Sequence, residues 1–398
     1  MKRVVKSVSL AAVGDILAIA GAGAAMRQYG DQYPFEPVTE ILASADLVFG
    51  NLEMAIRPNT SQKPYFADVC PDFYSPPGMA HALKMAGFTV INLANNHMMD
   101  WGVEGLDLTV KSLHAAGVAT IGAGCNLSEA RYPAIVMCNN LRVGFLGYSE
   151  VGPWVATNHT AGVAPLNRAM ILQDIARLRP QVDLLIVSLH TGCLSDYPSP
   201  EDRQLAHDSI QQGADLILGH GPHVVQGIET YQQRVIVYSM GNFMIDLASG
   251  NVENKTMLRE HLDSLIIQAA LVPGIQPEVD FTPVVISPDF QVRPADAESA
   301  ARIRTRVARI SVGLEQMNGL AFMEHAGALN VEHQLRVMAF QWKQVSWRLV
   351  LARLTKVRWR HVRLLLGYLM SRIRQRLRAV WAVDQADKTV TKVFVHHK

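Results

Sequence analysis

Up to about residue 290 the chain alternates between two periodicities. Short apolar, β-branched runs recur in SADLVFGN, GFTVINLAN, GVATIGAG, VDLLIVSLH, GADLILGH and RVIVYSMGN, each closed by Gly, Asn or His. Between several of them, PPGMAHALKMAG, VEGLDLTVKSLHAAG and PEDRQLAHDSIQQG repeat their apolar residues at helical spacing. Continuous apolar strands alternating with amphipathic helices predict a β-α-β architecture with strands covered on both faces. Two segments break the alternation. AIVMCNNLRVGFLGY, around Asn139-Asn140, and VVQGIETYQQRVIVYSMGN, around Gln232-Gln233, predict hairpins, so the sheets are expected to be mixed.

The strand ends are where the chemistry collects. VINLA runs straight into Asn95, Asn96 and His97, with Asp100 and Gly102 following before the next helical pattern. A turn needs one such polar residue, not four. Other predicted strands end in Asp15 (AAVGD), Asn51 and Glu53 (FGNLE), His190 (SLH), and His220 and His223 (GHGPH). In open α/β folds ligands bind beyond the carboxyl ends of strands. Carboxylate and amide oxygens mixed with imidazoles suit zinc or another divalent transition metal. Such a set can hold two ions, clamping a phosphoryl group and generating hydroxide between them. Taken singly, each residue has a plainer explanation: Asp15 and Asn51 as turn or strand-end caps, His97 as a packed histidine, GHGPH as a tight loop. Their recurrence at five strand ends favours a site.

The charge of the chain is divided. Residues 301–398 hold 19 Lys+Arg and 5 Asp+Glu, leaving 18 and 30 for the first 300. The shift falls near VVISPDFQVRPADAESA and predicts two regions, 1–295 and 296–398. The second region contains FQWKQVSWRLVLARLTKVRWRHVRLLLGYLMSRIRQRLRAVW, with arginines and apolar residues at helical spacing and four of the six tryptophans. A basic amphipathic helix of this kind suits a membrane surface. Packing on the acidic first region or between subunits is the alternative, and the aliphatic density argues against nucleic acid.

Three further features narrow the picture. Four scattered cysteines indicate neither a disulfide framework nor a zinc cluster, and fit a reducing compartment. The opening MKRVVKSVSLAAVGDILAIAGAGAA has a basic start and an apolar middle, but Gly14 and Asp15 interrupt it. It is read as the first strand rather than as a signal peptide. No apolar run is long enough for a transmembrane helix, so a cytoplasmic or membrane-peripheral protein is expected.

GDILA, GNLE, INLANNHMMDWGVEGL, SLHTG, GADLILGHGPHVVQGIE and IVYSMGNF are similar, in order and spacing, to the CapA-type capsule (poly-γ-glutamate) synthesis proteins. The resemblance spans roughly residues 7–250. That family resembles the calcineurin-like metallophosphoesterases, which implies an α/β fold, an αββα sandwich with mixed sheets, followed here by the basic helical region. It implies two divalent ions (Mn, Zn or Fe) held by Asp15, Glu53, Asn96, His190, His220 and His223, with Glu53 bridging. It makes His97 the general acid, oriented by Asp100, although Asp100 could equally cap the following helix. Asn51, Asn95, Tyr148 and Asn242 are placed on the substrate side.

The pattern departs from the relatives at three places. Leu17 replaces the His that metallophosphoesterases carry after the first acid, as is usual for the capsule branch. Leu194 and Gly221 stand where the family has a Glu and a further His. Asp196 is close enough to substitute for that Glu. The expectation is a metal-dependent, hydrolase-like protein of cell-envelope polymer metabolism, working with capsule polymer synthesis proteins. A non-enzymatic accessory subunit of a membrane-bound polymer synthase and a γ-glutamyl amide hydrolase are the alternatives.

Overall fold

The computed structural model describes residues 6–18, 20–59, 74–150, 154–192, 195–245, 255–317 and 321. In chain order, the first layer comprises β1 (Val8–Leu17), α1 (Ala20–Tyr29), α2 (Thr39–Ala43), β2 (Leu47–Leu52), α3 (Met79–Met85), β3 (Val90–Asn92), α4 (Gly102–Ala115) and β4 (Ala119–Ile121). A short pair, β5 (Ala123–Gly124) with α5 (Leu127–Ala130), leads to the β6 (Ala134–Cys138) and β7 (Leu141–Ser149) hairpin and then β8 (Gly162–Val163). Next come α6 (Arg168–Leu178), β9 (Leu184–His190), α7 (Pro200–Gln212), β10 (Leu216–His220), β11 (Ile228–Tyr231) and β12 (Arg234–Val237). The chain then returns through β13 (Asn242–Ile245), α8 (Lys255–Leu262), β14 (Asp263–Leu271), β15 (Glu278–Ile286), β16 (Val292–Pro294) and α9 (Ala297–Gly313).

Two mixed sheets result. One runs β16-β15-β14-β1-β2-β3-β4, with β13 also paired to β1; the other runs β11-β12-β10-β9-β7-β6. Strand alternation sorts the side chains into layers. Leu10 and Ala12 of β1 join Phe49, Phe145, Ile186 and Leu218 between the sheets, while Ala11 and Val13 face the helical layer with Leu42, Leu83 and Leu106. Ile171, Ile175 and Leu205 of α6 and α7 are buried too. This is the expected αββα sandwich with mixed sheets.

Local chemistry explains the boundaries. Helix α7 starts where the Ser199 side chain accepts from the Asp202 amide, has Pro200 in its first turn, and stops at Gly213 with φ +122°. Both expected hairpins form: Asn139-Asn140 (φ 51° and 58°) and Gln232-Gln233 (φ 47° and 57°) take the left-handed pair of a type I′ turn. Asp100 caps nothing: the residue preceding α4 is Trp101, which makes no side-chain cap bond.

The first compact unit extends to Leu314. Helix α9, capped by Asp296, buries Ile303, Val307 and Ile310, so the division expected at residue 295 falls before a helix that belongs to this unit. The second unit, Glu315–Lys398, lies almost entirely outside the described residues, and with it the expected membrane-surface helix. Among the described residues, no helix is long and apolar enough to cross a membrane.

Candidate metal centre

Sheet register brings the polar strand ends together. Asp15 lies opposite Asn51 on one side and Asn242 on the other, and Asn51 lies opposite Asn92. In the second sheet Ser149, His190 and His220 are in register. The two rows face each other, because the inward positions of both sheets turn polar at the same end.

Asp15, fully buried, organises the row. Its Oδ1 accepts from Asn51 Nδ2 at 2.9 Å and lies 3.0 Å from His220 Nδ1; its Oδ2 accepts from the Gly221 amide at 3.1 Å. His223 Nδ1 is 2.9 Å from Asn242 Oδ1 and 3.4 Å from Asp15 Oδ2. These acceptors place the hydrogen on Nδ1 of both imidazoles, by assignment from their partners. His223 Nε2 then faces Glu53 Oε1 at 3.5 Å, and His220 Nε2 is buried without a hydrogen-bond partner. Metal-binding histidines characteristically have one nitrogen held by an oxygen in this way and the other left bare.

Glu53 is the sharpest anomaly. It is fully buried, yet neither carboxylate oxygen has a hydrogen-bond partner. A buried carboxylate left this way is costly unless a cation meets it. Ligand atoms of Asp15, Glu53 and His223 lie within 4.8 Å of one another. His190 Nε2 is 3.8 Å from Glu53 Oε1 and 3.0 Å from Asn96 Oδ1. The donor set fits divalent metal: hard oxygens from Asp15, Glu53 and Asn96, and imidazoles from His190, His220 and His223.

Electrostatics agree. Burial raises the Asp15 pKa, but hydrogen bonds from His220 and His223 outweigh it and hold the group well below its usual value. Burial pushes Glu53 well above its usual value, with the charge of Asp15 adding to the rise against the opposing pull of His223. Burial lowers His190 to about 3, keeping it neutral as a ligand must be. Burial also works against protonated His223, yet the charges of Glu53 and Asp15 raise it to about 9. Without metal, the protonated His223 imidazole offsets the buried carboxylate charge, a role that a divalent cation would take over.

The remaining expected residues divide. His97, its side chain 14% exposed, stands with Nδ1 2.8 Å from Asp100 Oδ2, and burial raises the Asp100 pKa despite that bond. Asn95 bridges, its amide donating to the Leu52 carbonyl at 2.8 Å and its oxygen accepting from the His97 amide at 3.2 Å. Asn51 is buried behind Asp15, donating to it and accepting from Asn92 at 2.9 Å, so it braces the row from behind. Asn242 holds His223. Tyr148 is a correction: its ring is buried and its hydroxyl donates to Asp174 of α6 at 2.9 Å, away from the cluster, because its strand position points to the outer helical layer.

Sequence reasoning missed Asn92 and His261. Asn92 was hidden inside the apolar run VINLA, where a buried amide was itself the signal. It fits because Gly147 opposes it: a Cβ there would lie 2.2 Å from Asn92 Oδ1. His261 Nδ1 sits 3.0 Å from the His223 carbonyl, and nothing in its local sequence marks it.

The departures are also explained in part. Leu17 packs with Met54 and Ile245. Gly221 has φ +99°, and a Cβ would meet the Thr191 carbonyl oxygen at 2.0 Å, so this backbone excludes the family's histidine. Leu194 lies outside the described residues. The Asp196 carboxylate turns to Arg306 and Arg309 of α9.

The strand ends of this αββα sandwich thus gather buried carboxylate, amide and imidazole groups able to ligate metal. The chain belongs to the family described as bacterial capsule synthesis protein PGA_cap, whose model matches residues 9–247. It is 32% identical to the capsule biosynthesis protein CapA of Bacillus anthracis, over 65% of this chain and 64% of that one. It is 33% identical to the PGA biosynthesis protein CapA of Bacillus subtilis, over 63% and 66%. A probable polyglutamine synthesis accessory protein of Mycobacterium tuberculosis is 34% identical over 51% and 56%. The chain thus matches less than two thirds of the length of these relatives.

Proposed function

We propose that this capsule-synthesis family member is a divalent-metal-dependent hydrolase of cell-envelope polymer metabolism, with phosphoester-type chemistry. The observation that carries this reading is Glu53: a buried carboxylate with both oxygens unpartnered, facing Asp15, His190 and His223. Asp15, Glu53, Asn96, His190, His220 and His223 would hold two ions, which supply Lewis acidity and an activated water. His97, a partly exposed imidazole held by Asp100 rather than by the ligand carboxylates, holds a proton for the leaving group. Asp100 fixes its tautomer by accepting from Nδ1. The αββα layers bury Asp15, Glu53, His190 and His220, while Asn96 and His223 stay partly exposed.

The test is a screen of the Mn- or Zn-loaded protein against a generic phosphodiester and against γ-glutamyl amide substrates. Phosphodiester turnover abolished by His223→Ala supports the reading; amide turnover alone moves the chemistry to amide hydrolysis. A second reading, a non-enzymatic accessory subunit of a membrane-bound polymer synthase, draws support from the accessory role in the mycobacterial relative's name and from Gly221. Tight metal binding with no turnover of either substrate class favours it. Association with capsule polymer synthesis proteins, and with a membrane through the basic region, belongs to both proposals.

A further inference from the structure

Helix α9 lies beyond the segment that the family model matches, yet its arginines end on the loops that carry the cluster. Arg306 is largely buried and has three partners. Its Nη2 donates to Asp196 Oδ1 at 2.7 Å, its Nη1 lies 3.0 Å from Glu260 Oε1, and its Nε approaches the Val225 carbonyl at 3.4 Å. One turn earlier, Arg302 pairs bidentately with Asp263. These partners sit on separate segments. Asp196 follows His190, Val225 follows His223, and Glu260 and Asp263 flank His261.

His223 needs such support. Its φ of +58° is left-handed, a conformation that a residue with a side chain keeps only where its surroundings over-determine it. Its carbonyl accepts from Asn242 Nδ2 at 3.1 Å and lies 3.0 Å from His261 Nδ1. Helix α9 grips both sides of that turn, through Val225 and through the segment that carries His261.

We propose that Arg306 is a positioning residue for metal binding: it ties the Asp196, Val225 and Glu260 segments together and so holds His223 Nε2 toward Glu53. The proposal rests on the metal-dependent reading above. A planar guanidinium suits the task because its fork serves several acceptors at once, whereas a lysine ammonium is a single point charge.

Arg306→Ala should weaken divalent-metal affinity by about 10- to 100-fold, the usual effect of removing groups that orient ligands. Arg306→Lys should fall between it and the parent chain. Arg304→Ala is the control on the same helix, since that guanidinium lies over the Phe281 ring at 4.9 Å and serves none of these segments. Chelator-stripped full-length chains are titrated with Co²⁺, following the visible absorption of the bound ion, with thermal melts alongside. An Arg306→Ala chain that binds Co²⁺ as tightly as Arg304→Ala overturns the proposal, even if its melting temperature falls. If Arg306→Ala does not fold, Asp196→Asn loosens the same guanidinium and should weaken binding several-fold; unchanged affinity overturns the proposal. A parent chain that takes up no Co²⁺ overturns the metal reading and this proposal with it, whereas uptake unaffected by the variants overturns this proposal alone.

Discussion

Asn51 and Asp15 face each other across β1 and β2, and the Asn51 amide donates to Asp15 Oδ1 at 2.9 Å while its own oxygen accepts from Asn92. The contact ties two strand ends of the first sheet into one rigid acceptor for the histidines of the second. Asn51→Ala would strip a buried carboxylate of a donor and leave the Asn92 amide short of an acceptor. A loss of about 1–3 kcal/mol is expected, the cost of an unsatisfied buried group. Urea unfolding of the chelator-stripped variant and parent measures it.

Ligand and acid variants should separate. His220→Ala and His223→Ala are expected to lose metal and activity together. His97→Ala should retain metal and slow turnover by ~10²–10⁴-fold, the worth of a positioned general acid. Metal content and single-substrate kinetics on the three proteins check this. Metal loss in the His97 variant would place that imidazole among the ligands.

The pH response follows from His223. Its folded pKa, about 9, lies above the ordinary 6.5, so the stability it contributes is complete below 6.5 and disappears as pH rises through 9. Chelator-stripped protein should therefore lose melting temperature across that window, and His223→Gln should lose less. Metal binding must displace the proton, so affinity should climb with pH up to about 9. Calorimetry in buffers of different ionisation enthalpy should show proton release on metal binding at neutral pH.

Where the chain is cut decides what survives. Removal of residues 318–398 leaves α9 in place and should preserve metal binding. Removal from residue 301 strips out Ile303, Val307 and Ile310, which the first unit buries. At about 1.5–3 kcal/mol per buried aliphatic side chain, that chain should unfold or aggregate. Flotation with anionic vesicles shows whether the residues lost in the shorter cut carry membrane binding. Retention of full vesicle binding without them would remove the membrane proposal for the basic region.

Much of the architecture was legible because both-face burial leaves strands as plain apolar runs. β2, β9 and β10 stand out for that reason, and the turns at Asn139-Asn140 and Gln232-Gln233 are marked by two amides each. The β14–β15 hairpin was not, since its connection, VPGIQP, carries no such amide pair. β15 is half exposed, so its residues do not form the unbroken apolar run that marks the buried strands. Asp15, Glu53 and the histidines were legible as polar endings of apolar strands. Their bracing was not: Asn92 depends on the space at Gly147 across the sandwich, His261 on a fold-back of some forty residues, and Arg306 on a helix that composition assigns to the basic region. Tyr148 failed for a simple geometric reason, as strand alternation turned it outward.

The central claim is that Glu53 lies buried and unpartnered because it belongs to a metal site. Elemental analysis of the chelator-free protein after Mn or Zn loading tests this most directly. About two divalent ions per chain are expected for the parent, and a loss of bound metal for Glu53→Gln. A parent chain that retains no metal after loading, or a Glu53→Gln chain that retains the full complement, would contradict the account.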